Sequence, residues 1–180
     1  FKFWQGSNKE LREFMERGEI DLALISPVPE SNESIHTNIL FSENMRALVP
    51  RGHRAYNQES INLRDLKDDP FVLFRTGFDM RKLVIDACQT AGFEPKVAFE
   101  SEDIYTIKGL VEAGLGVSLL PETALADYTP TETISLPITM PRVSRTVGVM
   151  VTKSHDLPPS EKLFYEFLIS YYERLNKFSF

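Results

Sequence analysis

Residues 103–121 read DIYTIKGLVEAGLGVSLLP, and this stretch decides the fold class. Ile107, Leu110 and Val111 fall at helical spacing between Asp103 and Ala113, which gives that segment one apolar face. Gly114 and Gly116 close the helix, Val117 to Leu120 reads as a strand, and Pro121 opens another short helix. The same alternation stands upstream. Phe71 to Phe74 predicts a strand and Val97 to Phe99 another. Between them lies a helix from Phe78 to Ala91 with Leu83, Val84, Ala87 and Cys88 on its buried face and Gly92 as its cap. Strands alternating with helices of about 10–15 residues predict an α/β fold with a mostly parallel sheet.

Working outward, Phe1, Phe3 and Trp4 make a short strand signal that stops at Gly6. Ser7 and Glu10 form an S-x-x-E capping box that opens a helix through Leu11, Phe14 and Met15, ended by Gly18. Ile20 to Ile25 is an apolar run of the kind expected of a strand covered on both faces. Pro27 and Pro29 end it. Ile35 to Pro50 is extended with a predicted break around Ser42 to Asn44, Arg51 to Ser60 reads as a polar linker, and Leu63 to Leu66 as a turn of helix. Ile134 to Leu136 is a weak strand, Thr146 to Val151 a strong one, and Glu161 to Leu175 an aromatic-rich amphipathic helix. That last helix carries more apolar surface than one narrow stripe needs, so packing on its own lobe comes first and a partner-facing edge second.

The 180 residues are enough for one domain or two small joined ones, and the core they can bury needs no disulfide or metal. Lys and Arg number 20 against 26 Asp and Glu, a net charge of −6. A duplex-binding domain carries a basic stripe instead, so these residues by themselves do not read as a nucleic-acid grip. No long apolar run marks a membrane span, and the opening residues lack the pattern of a signal peptide. The single cysteine, Cys88, excludes an internal disulfide, fits a reducing compartment, and sits on the apolar face of its helix as an inert core residue.

Motifs for chemistry fail one by one. Gly114 and Gly116 follow a helix, and Leu119 breaks G-x-G-x-x-G, so no dinucleotide loop is present. His36, His53 and His155 are far apart without close metal-ligand partners, and read as surface residues. No G-x-S-x-G elbow accompanies them. No cofactor, metal or enzymatic activity is expected.

GEIDLALI (18–25), ENMRALVPRGH (43–53), INLRDLKDDPFVLF (61–74) and ACQTAGFEPKVAFESEDIYTIKGLVEAGLGVSLLP (87–121), in this order, closely resemble the effector-binding domain of LysR-type transcriptional regulators. The resemblance implies a two-lobed α/β fold like that of type 2 periplasmic binding proteins, with two crossover strands and a small-molecule effector held in the cleft between lobes. Lobe I is then residues 1–69 and 143–180, and lobe II residues 70–142. It also implies that the family's DNA-binding winged helix-turn-helix, linker helix and first strand and helix of lobe I lie outside this chain. DNA would be reached only through that missing domain, in a cytoplasmic homodimer or tetramer.

Ligands in open α/β sheets sit beyond the carboxyl ends of strands, where helix starts point their N–H groups outward. Such ends here are Ser26-Pro27, Arg75-Thr76-Gly77 and Ser101-Glu102-Asp103, and the resemblance carries the effector-contact role onto Ser26, Pro27, Arg75, Thr76, Gly77, Ser101 and Glu102. Arg75 offers a planar fork that suits a carboxylate, phosphate or sulfate, and its alternative is a surface pair with Asp79 or Glu102. Thr76 and Ser101 have an alternative as helix caps, and Glu102-Asp103 as a complement to the helix dipole. The function expected is non-enzymatic sensing of an anionic metabolite. The alternative is an extracytoplasmic solute-binding protein of a transporter, which shares the lobe architecture.

Overall fold

A computed structural model of the chain describes residues 3–126 and 132–178. The backbone divides into two compact units, residues 1–42 with 146–180 and residues 43–145.

In the first unit the capping box forms as the sequence predicts. Ser7 Oγ accepts from the Glu10 amide, and the Ser7 amide donates back to Glu10 Oε2 at 2.8 Å, opening α1 (Asn8–Glu16). Gly18 at φ 68° ends it, because the left-handed turn lets the Gly18 and Glu19 amides reach the carbonyls of Met15 and Phe14. Leu11 and Met15 then pack with Ala23, Ile25, Ile35 and Met150. β1 (Leu22–Ile25) pairs antiparallel with β7 (Ser144–Thr152), from Leu22↔Val151 to Ile25↔Gly148. On the other face Leu40, Val149 and Val151 meet Leu168 of α5 (Pro159–Phe178).

The second unit contains the βαβ units read from the sequence. β3 (Pro70–Phe74) pairs parallel with β4 (Lys96–Ser101), and Val117 bridges β3 in parallel on its other side. α2 (Asp79–Thr90) and α3 (Ile104–Glu112) make the crossovers. β5 (Ser118–Pro121) leads into α4 (Glu122–Leu125), and β5 and β6 (Thr133–Pro137) pair antiparallel with the later part of β2 (Ile35–Pro50). Phe71, Leu73, Val84, Cys88, Val117 and Leu119 form the core of this unit.

The structure corrects several expectations. Residues 3–7 form no strand, and Phe3 is 90% exposed, since apolar alternation without a partner ladder holds nothing; Phe1 lies outside the described residues. β1 is an edge strand covered on one face only, with Leu24 half exposed. The antiparallel ladders of β2 and β7 outweigh the parallel β3–β4 pair, so strand pairing in this chain is more antiparallel than parallel. β2 runs unbroken for 16 residues, and the passage from one unit to the other falls at Ser42–Glu43, inside it. The return passage falls at Arg145–Thr146, inside β7.

Residues 43–69 join the second unit because Ala47, Ala55, Ile61, Leu63 and Leu66 are buried in its core, and Val143 with them. The supposed linker is anchored. Arg54 grips Asp69 with both guanidinium nitrogens at 2.7 Å. His53, whose side chain is 8% exposed and so no surface residue, accepts from the Ala55 amide on Nδ1 and lies 3.3 Å from Asp69 through Nε2. Burial works to raise the Asp69 pKa, but the hydrogen bonds from Arg54 and His53 overcome it and hold the carboxyl below its usual value.

The glycines rejected as a nucleotide loop have structural tasks. Gly114 caps α3 at φ 78°, and a Cβ on Gly116 would stand 2.5 Å from the Pro70 carbonyl oxygen.

Two outcomes follow for urea unfolding. Gly116→Ala should destabilise by about 1–3 kcal/mol through that backbone clash, whereas Gly109→Ala, with open space inside α3, should stabilise by about 0.5–1 kcal/mol; equal effects would refute the packing described. Asp69→Asn should cost about 1–3 kcal/mol at pH 7. Because the folded pKa is depressed, the Asp69 contribution is present above the ordinary carboxylate range and lost as pH falls through the folded value. The gap between the two proteins should accordingly narrow below about pH 4, and a gap independent of pH would contradict the assignment.

Candidate functional site

β3 and β4 run parallel, so their carboxyl ends emerge side by side and deliver Arg75, Thr76, Gly77, Ser101 and Glu102 to one place in the second unit. The Arg75 amide donates to the Ser101 carbonyl at 3.0 Å, extending the ladder by one step. Arg75 Nη1 lies 2.8 Å from Glu102 Oε1, and its guanidinium stands over the Phe78 ring, 5.7 Å from the centroid. Of the two surface pairs expected for Arg75, the one with Glu102 forms. Both partners are about half exposed, so the pair contributes roughly 0–1 kcal/mol and a competing anion can displace the carboxylate at little cost.

The helix starts beside it differ. Gly77 at φ 98° turns the chain, and Phe78 occupies the N-cap of α2 with no side-chain hydrogen bond. Thr76 is therefore not the cap. α3 is capped by Asp103, whose Oδ2 accepts from the Thr106 amide at 2.7 Å and from its hydroxyl at 3.0 Å. These bonds to the charged form hold the Asp103 pKa below its usual value. Ser101 is not a cap either, because its hydroxyl accepts from the Asp103 amide at 3.1 Å and orders the turn before the helix. Arg81, absent from the sequence reading, donates to the Phe74 carbonyl at 2.9 Å and pairs with Glu100 at 2.7 Å.

Ser26 and Pro27 follow β1 in the first unit and are half-buried. The Ser26 hydroxyl donates to the Thr146 carbonyl at 2.8 Å, and Asn8 Nδ2 donates to the Ser26 carbonyl at 3.0 Å. The Val28 amide donates to Thr146 Oγ1 at 3.1 Å. Asn8 and Thr146 thus hold this strand end in place, and no local signal pointed to them. Thr146 lies 120 positions from Ser26.

The model of the LysR substrate binding domain matches residues 2–173. The transcriptional dual regulator GltC of Bacillus subtilis is 47% identical over 178 residues, which are 99% of this chain and 59% of GltC. The uncharacterised regulator YybE of the same organism is 30% identical over 96% of this chain and 58% of its own. Among solved structures, the effector binding domain of QuiR in complex with shikimate matches with a TM-score of 0.84 at 26% identity, covering 97% of this chain and 82% of that one. Full-length OxyR C199D from Pseudomonas aeruginosa matches at 0.79 and 31%, covering 92% and 56%.

The fold is that of an effector-binding domain, α/β with two connecting strands. This chain belongs to the LysR substrate-binding-domain family. It spans about three-fifths of the length of the curated relatives named here, and those relatives are transcriptional regulators. The transporter alternative finds no support among them. Among the described residues, no helix is long and apolar enough to cross a membrane.

Cys88 stands apart from the strand ends. It is fully buried, and burial, helped by Glu94, pushes its thiol up to about 12. In the native protein a disulfide reagent at pH 8 should label it more than about a hundredfold slower than a free thiol, and denaturant should remove the difference. Rapid native labelling would show that the α2 face is open.

Proposed function

We propose that this chain is the effector-sensing part of a DNA-binding transcriptional regulator, and that the effector is a small anionic metabolite. The convergence of Arg75, Thr76, Gly77, Ser101 and Glu102 on one strand edge, in a chain of this family, carries the reading. Arg75 supplies the fork for a carboxylate, phosphate or sulfate, released from Glu102 as the ligand binds. The start of α2, with no side-chain cap, adds N–H groups and the positive end of the helix dipole. Binding acts without covalent chemistry, by favouring whichever conformation holds the effector more tightly. DNA contact and assembly into a homodimer or tetramer belong to the whole cytoplasmic regulator.

A thermal-shift screen of carboxylate, phosphate and sulfate metabolites tests this. The effector should stabilise the native protein by about 2.7 kcal/mol at a hundred times its Kd. Arg75→Ala should abolish the shift while lowering intrinsic stability by less than about 1 kcal/mol, because the Glu102 pair is exposed. A screen in which no anion moves Tm, or an Arg75→Ala protein that responds fully, sinks the proposal.

A further inference from the structure

We propose that the groove between β2 and α5 in the first unit is a docking site for an extended, basic segment of a partner protein. The groove encloses about 370 Å³. Its apolar lining includes Ile39 and Ile169, Tyr165 and Tyr172 form aromatic walls, and Glu166 and Glu173 stand on the rim. Among the described residues, no Lys, Arg or His lines it.

The two carboxylates are the telling feature. Two other helical acids of this chain pair with a cation one turn away, Glu13 with Lys9 and Asp86 with Lys82. Among the described residues, neither Glu166 nor Glu173 makes an ion pair. They lie seven residues apart on α5, about 10 Å along the helix axis. A strand advances about 3.3 Å per residue, so lysines or arginines two or four positions apart on one side of it reach both. The aromatic walls give the alkyl stems an apolar surface to lie on.

The apolar side of the occupant is also specified. Ile39 is 62% exposed on a strand, a position that normally packs or is polar. β5 and β6 accompany β2 only between Met45 and Pro50, so neither covers Asn38 to Leu40. Asn38 is itself hydrogen-bonded to the Tyr165 hydroxyl, which ties wall to floor. An alternating basic and apolar segment therefore matches the groove in charge and in apolar contact, whereas a single small cation would meet only one carboxylate.

Fluorescence anisotropy with a labelled Lys-Val-Lys-Val-Lys-Val peptide tests the proposal on the native chain. The basic peptide should bind and its Glu-Val counterpart should not, and binding should weaken as salt rises past about 0.15 M. Glu166→Gln/Glu173→Gln should weaken it about tenfold or more with Tm unchanged. Glu16→Gln/Glu30→Gln, which removes the same charge elsewhere, should leave it intact. The charge-reversed Glu166→Lys/Glu173→Lys protein should take the Glu-Val peptide instead. The proposal is overturned if the basic peptide fails to bind, if both neutralised variants weaken it equally, or if spermidine competes as strongly as the peptide, which would make this a small-cation site.

Discussion

Glu43 and Arg145 are the residues at which the two connecting strands enter the second unit, and they are bound to each other there. Arg145 Nη2 lies 2.7 Å and Nε 2.8 Å from Glu43 Oε1, and both side chains are largely buried. Burying a pair of charges costs several kcal/mol per ion unless every lone pair is used. Here Glu43 Oε2 accepts from the Thr123 amide at 2.8 Å and Oε1 from its hydroxyl at 3.1 Å, so the carboxylate also anchors the start of α4. One buried carboxylate thus holds β2, β7 and α4 in a single arrangement, and removing either charge would leave the other uncompensated. Such a pair specifies geometry more than it adds stability. Within the second unit the pair marks where β2, β7 and α4 meet.

The candidate site is governed by the opposite regime. Arg75 and Glu102 are half exposed and held by one contact, while the capped turn around Asp103 and the ladder between Arg75 and Ser101 hold the backbone beneath them. A stiff frame with an exchangeable ion pair on top is what reversible binding of an anion requires. The same contrast separates Asp69, wrapped by Arg54 and His53, from Glu166 and Glu173, which among the described residues have no ion-pair partner. Charges already satisfied inside a unit stabilise it, and those left open are available to something else.

Part of the site was legible in advance. Parallel strands joined by helices must deliver their carboxyl ends together, so Arg75 to Gly77 and Ser101-Glu102 could be placed on one edge from periodicity alone. Their roles there could not. Phe78 and Asp103 cap the helices, where Thr76 and Ser101 were the alternatives, because N-cap geometry turns on φ and ψ as much as on residue type. Arg81, Asn8 and Thr146 escaped notice because each makes a contact through a backbone carbonyl or amide, and a backbone group has no sequence signature.

What the chain itself determined is local: the capping box at Ser7 and Glu10, the left-handed turn at Gly18, the apolar faces of α2 and α3, and the crossover rhythm from β3 to β5. These signals act over a few residues, where spacing and backbone sterics decide. Tertiary structure alone decided that β1 lies at the edge of the sheet among the described residues, that β2 runs unbroken past Ser42, that residues 43–69 join the second unit, and that the His53 side chain is buried. Each of those depends on which distant segment supplies a ladder or a core contact, and composition along the chain does not encode that choice.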